Sequence, residues 1–190
     1  MSFSMSAEAS ERLQKLKERY PDPKSTVMAA LYLVQEEHEE ITNEGVHWVS
    51  EQTGISPVHV MELVTFYTMY RRKKLGKYHV QVCRTLSCGL CGAKDLMSYL
   101  HERLHVEPGE ITADGIFSYE YVECLGSCGT APMCEINDTY FENLTPEKLK
   151  QLLDRIEREK PDLSLSTKRD AIGSGLTGEG YSKVLGDKPL

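Results

Sequence analysis

The chain has 190 residues, 40% hydrophobic and 27% charged, which suits one compact domain with an appendage or two small domains. Its net charge of −7, with no long Lys/Arg run, argues against nucleic-acid binding. The longest apolar stretch, Val27 to Val34, is far below the roughly 18 residues that a membrane span needs, so no direct membrane insertion is expected.

The N-terminal stretch from Ala7 to Tyr20 carries Glu8, Glu11, Arg12, Lys15 and Lys17, not the positive-then-apolar order of a secretory signal. Without export, six cysteines point to metal or redox chemistry rather than to a disulfide framework. All six lie between Cys83 and Cys134. That asymmetry predicts parts with different jobs.

Residues 1–74 read as a helical bundle. Glu8 to Tyr20 is a charged amphipathic helix stopped by Pro21 and Pro23. Ser25 is expected as the N-cap of a second helix, whose Val27, Leu31 and Val34 share one face. A third helix covers Val46 to Thr53 and ends at Gly54. Ser56-Pro57 opens a fourth, with Val60, Val64 and Tyr67 as its buried stripe. Phe66, Tyr67 and Tyr70 are expected to pack in the core. His38, His47 and His59 read as structural or solvent-facing. The short basic run Arg71-Arg72-Lys73-Lys74 reads as a solvated loop.

Residues 75–158 change pattern. Lys77 to Cys83 alternates, with Tyr78, Val80 and Val82 on one face, which predicts a strand. Residues 89–105 show Ala93, Leu96 or Met97, Leu100 and Leu104 at helical spacing. Phe117 to Glu123 is a second strand. Met133 to Ile136, Asn137-Asp138 and Thr139 to Phe141 form a hairpin. Thr145-Pro146-Glu147 caps a last helix running to about Ile156. The whole is α+β, a helical bundle followed by an alternating unit of the kind a small thioredoxin-like domain needs. Residues 159–190 read as an irregular extension, rich in Gly and polar residues, with no face to bury alone. A partner's surface would be needed to hold it.

Each cysteine group follows a predicted strand end: Cys83-Arg-Thr-Leu-Ser-Cys88-Gly-Leu-Cys91 and Cys124-Leu-Gly-Ser-Cys128. Small residues (Ser87, Gly89, Gly126, Ser127, Gly129) let backbone N–H groups approach the sulfurs. Spacing leaves several readings open. Cys83, Cys88 and Cys91 match a plant-type ferredoxin, with a distant fourth cysteine. Against it, Cys91 falls where the amphipathic helix has begun, and Cys128 would be idle beside Cys124. Cys88-Gly-Leu-Cys91 matches a redox disulfide but leaves Cys83, Cys124 and Cys128 without a role. A zinc site on Cys83, Cys88, Cys124 and Cys128 is the third reading, with spacings less typical of zinc. Glu123 and Glu135 would lower the potential of a cluster beside them, or are simply surface charge.

The flanks carry more than the spacing. Cys83 to Cys88, Val122 to Met133, Val64-Thr65-Phe66-Tyr67 and Glu107 to Gly115 together resemble the thioredoxin-like 2Fe–2S subunit of the NADH-dehydrogenase module of respiratory complex I. The resemblance covers residues 8–157. It implies one 2Fe–2S cluster, with Cys83, Cys88, Cys124 and Cys128 as its ligands and no catalytic residue on this chain. Cys91 and Cys134 fall outside the pattern and are expected to be ordinary buried small residues. The resemblance also implies a partner flavoprotein subunit that binds NADH and FMN, further complex I subunits, and a cytoplasmic place peripheral to the inner membrane. No Gly-x-Gly-x-x-Gly run follows a predicted strand, so NADH is expected on the partner. The same module recurs in NAD-linked hydrogenases and formate dehydrogenases, which is the alternative setting.

Overall fold

The computed structural model describes residues 3–161 and 163. The chain divides into two compact units, Met1–Lys74 and Leu75–Leu190. Beyond residue 163, the irregular extension expected over 159–190 lies outside the described residues. No described helix is long and apolar enough to cross a membrane.

The first unit holds four helices: α1 (Ala7–Lys17), α2 (Val27–His38), α3 (Asn43–Thr53) and α4 (Pro57–Phe66). Ser6 caps α1 by accepting from the Ala9 N–H at 3.1 Å. The helix ends three residues before the expected Tyr20, because Arg19 and Tyr20 make tighter bonds to Leu16 and Lys17. Ser25 does not cap α2. A 3₁₀ turn, Pro23–Thr26, intervenes, and the Asp22 carboxylate heads it by accepting from the Lys24 N–H at 2.9 Å. Aspartate competes better than serine here because Pro23 follows it directly and fixes the turn's first φ. Thr42 caps α3, which starts three residues earlier than expected, and Gly54 ends it at φ +72° as expected. Ser56 and Pro57 open α4 as expected.

Leu13, Leu31, Val34, Ile41, Val49, Val60 and Val64 form the core of this unit. Tyr70 joins it and donates its hydroxyl to the Met28 carbonyl at 3.0 Å. Phe66 does not, being 77% exposed. At 3.6 residues per turn, a position two past Val64 lies on the opposite face of α4. Tyr67 is only partly buried.

The second unit contains β1 (Tyr78–Cys83), α5 (Leu86–Leu90), α6 (Ala93–Leu104), β2 (Phe117–Val122), β3 (Cys134–Ile136), β4 (Thr139–Phe141) and α7 (Pro146–Glu159). The sheet order is β2-β1-β3-β4. β1 runs parallel to β2 and antiparallel to β3, and the β3–β4 hairpin closes the edge. Asn137 in the hairpin turn takes φ +55°, which asparagine tolerates. Thr145 caps α7 by accepting from the Lys148 N–H at 3.2 Å, and the helix runs three residues past Ile156.

The single helix expected over 89–105 is two helices. Gly92 takes φ +100° and separates α5 from α6. Ala93, Leu96, Leu100 and Leu104 then bury one face of α6 against the sheet, while Met97 is only partly covered. The core side of the sheet presents Tyr78, Val80, Val82, Phe117, Tyr119 and Ile136. α7 adds Leu149, Leu152, Leu153 and Ile156.

Candidate metal centre

The cysteines gather where β1 and β2 end. Parallel pairing sets Cys83 opposite Val122, so the loops after both strands start side by side. The Arg84 N–H donates to the Val122 carbonyl at 3.0 Å, and its guanidinium reaches Glu123 at 2.7 Å. Cys83 is the last residue of β1, Cys88 lies in α5, and both are 2% exposed. Cys124 and Cys128 lie on the loop after β2 and are exposed.

These four thiols form one group of two pairs. The sulfurs of Cys124 and Cys128 are 3.4 Å apart. Cys83 and Cys88 are close enough to couple electrostatically. The Thr85 hydroxyl stands 3.3 Å from the Cys83 sulfur and also lowers Cys124, so it acts on both pairs. Ser87 lowers Cys128. Sequence reasoning directed at the small residues near the sulfurs misses Thr85.

Each pair contains one thiol held low and one held high. Burial pushes Cys83 up, but hydrogen bonds from the Thr85 hydroxyl and from the Thr85 and Leu125 backbones outweigh it, so Cys83 sits below the usual thiol range. The Gly126 N–H, 3.4 Å from the Cys124 sulfur, lowers Cys124, with help from Cys128 and Thr85. Burial and the neighbouring Cys83 push Cys88 up to about 11. The bond to Cys124 and its charge push Cys128 up. Thiolate character therefore goes to Cys83 and Cys124, while the Met133 backbone at Cys88 does not offset burial and the neighbouring sulfur. Gly126 takes φ +88° to aim its amide, a conformation that glycine adopts without strain.

Cys91 and Cys134 stand outside this group. Cys91 is exposed at the C-terminal end of α5, not buried, and not inside an amphipathic helix as expected. Cys134 is fully buried on β3, where burial pushes its thiol up, followed by the charge of Glu135. Glu123 is exposed and paired with Arg84. Glu135 is half-buried and raised, first by burial and then by Asp138.

Among the described residues, no three cysteine, histidine or carboxylate side chains converge on a single ion position. A binuclear cluster asks for something else: four soft thiolates shared between two irons, with N–H groups directed at the sulfurs. The donor set here fits that demand in number, softness, pairing and amide contacts.

The family model described as "Thioredoxin-like [2Fe-2S] ferredoxin" matches residues 13–157. The chain belongs to this family. Among curated relatives of this thioredoxin-like ferredoxin is an NADH-quinone oxidoreductase subunit of Rhizobium meliloti (strain 1021). It is 38% identical over 144 residues, covering 76% of this chain and 86% of the relative. An NADH-quinone oxidoreductase subunit of Thermus thermophilus is 44% identical over 138 residues, covering 71% of this chain and 76% of the relative. An air-oxidized NAD+-reducing [NiFe]-hydrogenase shares the fold at TM-score 0.61 and 19% identity. The match covers 72% of this chain but only 23% of that one.

Proposed function

We propose that this ferredoxin is an electron-transfer subunit of an NADH:quinone oxidoreductase (complex I), holding one 2Fe–2S cluster on Cys83, Cys88, Cys124 and Cys128. The observation that carries the reading is the single group of two thiol pairs at the paired ends of β1 and β2. Identities of 38% and 44% to NADH-quinone oxidoreductase subunits support the setting. The bound cluster supplies one-electron redox chemistry. The chain's residues supply the rest. Cys83 and Cys88 come from the buried side, and Cys124 and Cys128 from a loop that faces outward. The Gly126 amide and the Thr85 hydroxyl bond sulfurs and disperse their negative charge, and the Leu125 and Met133 backbones and Ser87 act on the sulfurs in the same direction.

The outward face of the Cys124–Cys128 loop suits electron exchange with a partner flavoprotein that carries FMN and binds NADH. Leu86 and Leu90, 77% and 80% exposed on the helix that bears Cys88, give that partner an apolar seat. The assembly would sit on the cytoplasmic side, peripheral to the inner membrane. The shared fold with the hydrogenase keeps a second setting open, the diaphorase module of an NAD-linked hydrogenase. Affinity purification of the full chain from its native cells separates the two. A co-purifying NADH-oxidising flavoprotein together with quinone-reductase subunits is the expected result. Hydrogenase subunits in their place would overturn the complex I setting.

A further inference from the structure

We infer that β4 and the residue that follows it govern the outer thiol pair through two positioning residues, Tyr140 in the strand and Glu142 just past it, which hold the Cys124–Cys128 loop from the edge of the sheet. The inference rests on the proposed cluster site. Strand alternation turns Phe141 into the core, where it is 2% exposed, and leaves positions 140 and 142 on the other side. The Tyr140 hydroxyl donates to the Leu125 carbonyl at 2.7 Å. That carbonyl shares its peptide unit with the Gly126 N–H, which donates to the Cys124 sulfur. Tyr140 therefore pins one end of the peptide whose other end points at a proposed ligand. Because the peptide is planar and rigid, its orientation at the sulfur follows from where its oxygen is held. A donor on the carbonyl also polarises the amide and strengthens its bond to sulfur.

Glu142 holds the far side of the same loop. One of its carboxylate oxygens accepts from the Ser127 hydroxyl and from the Thr130 hydroxyl, the latter at 2.6 Å. Ser127 immediately precedes Cys128, and Thr130 ends the 3₁₀ turn that begins there. The following Asn143 N–H donates to the Thr130 carbonyl at 2.8 Å, and the Leu144 N–H to the Pro132 carbonyl at 2.9 Å. The short β3–β4 hairpin thus reaches across to the loop and ties it before and after Cys128.

The test uses the full chain in its native complex, with EPR-monitored redox titration and iron and sulfide assays. Tyr140→Phe keeps the ring and removes only the hydroxyl. It should keep the iron and sulfide content but lower the reduced-to-oxidised ratio at fixed ambient potential by up to about tenfold, about 59 mV for a one-electron couple. Glu142→Ala should lose most of the cluster on purification, and Glu142→Gln, which keeps the accepting oxygen, should restore it. An unchanged potential in Tyr140→Phe, or full cluster content in Glu142→Ala, overturns the inference. A wild-type chain with no iron and no sulfide overturns the site reading itself, and the inference with it.

Discussion

Cys128→Ser is expected to abolish the binuclear EPR signal of the reduced protein, while Cys91→Ser leaves it at wild-type amplitude. The two cysteines compete for the same role on spacing, so the pair of variants is decisive. Both side chains are exposed, so neither substitution opens a cavity or unsettles the core. Loss of signal in one and not the other therefore reports on the metal centre rather than on folding. Serine removes the soft thiolate that iron in a cluster prefers, and the sulfur lost is one that lies 3.4 Å from its partner Cys124. Cys91 bonds to none of the other sulfurs among the described residues. Quantitative EPR on matched protein concentrations checks it. The opposite outcome, signal kept in Cys128→Ser and lost in Cys91→Ser, would favour the plant-type ligand set.

Gly76→Ala should destabilise the second unit by about 3 kcal/mol, a fall in Tm of roughly 12 °C. A Cβ at Gly76 would lie 2.4 Å from the Phe117 carbonyl carbon and 2.6 Å from the Ser118 nitrogen. These are backbone atoms of β2, held by the parallel pairing with β1, so they cannot swing aside as a flexible side chain would. The Gly76 N–H also donates to the buried Ser118 hydroxyl at 2.9 Å. Moving the strand to admit a methyl would break that bond. It would also disturb His79, whose ring nitrogens contact Ser118 at 2.8 Å and Glu120 at 3.1 Å. Gly76 lies at the opposite end of β1 from Cys83, so the effect belongs to the fold and not to the site. Calorimetric or spectroscopic melting of the purified chain checks it. A fall of under about 2 °C would mean that the strand shifts at little cost.

Local signals with a single physical reading are legible in the sequence. Ser56-Pro57, Gly54, Asn137-Asp138 and Thr145-Pro146 each satisfy one backbone demand, and each appears where that demand arises. Signals that depend on competition are not. Ser25 and Asp22 both suit a cap, and only the turn through Pro23 decides between them. The α5–α6 break is hidden because Gly92 stands directly before an unbroken helical spacing of apolar residues. Phe66 is misplaced by composition, since an aromatic beside a buried stripe need not belong to it.

For the candidate site, the cysteines and their flanks are visible in the sequence, but their surroundings are not. Thr85 is legible only once the two loops lie side by side, because one of the sulfurs it lowers is Cys124, distant in sequence. Tyr140 and Glu142 lie beyond the second cysteine group and reach it by way of the hairpin. No spacing rule connects them to the sulfurs. The expectation that Cys91 is buried fails because α5 ends just before it and leaves it facing outward.

The most direct test of the central claim is anaerobic purification of the native chain, with iron, zinc and acid-labile sulfide measured per chain. A 2Fe–2S centre on these four cysteines predicts about two irons and two sulfides per chain. Stoichiometric zinc without sulfide would contradict it, and would make the two thiol pairs a structural site with no part in electron transfer.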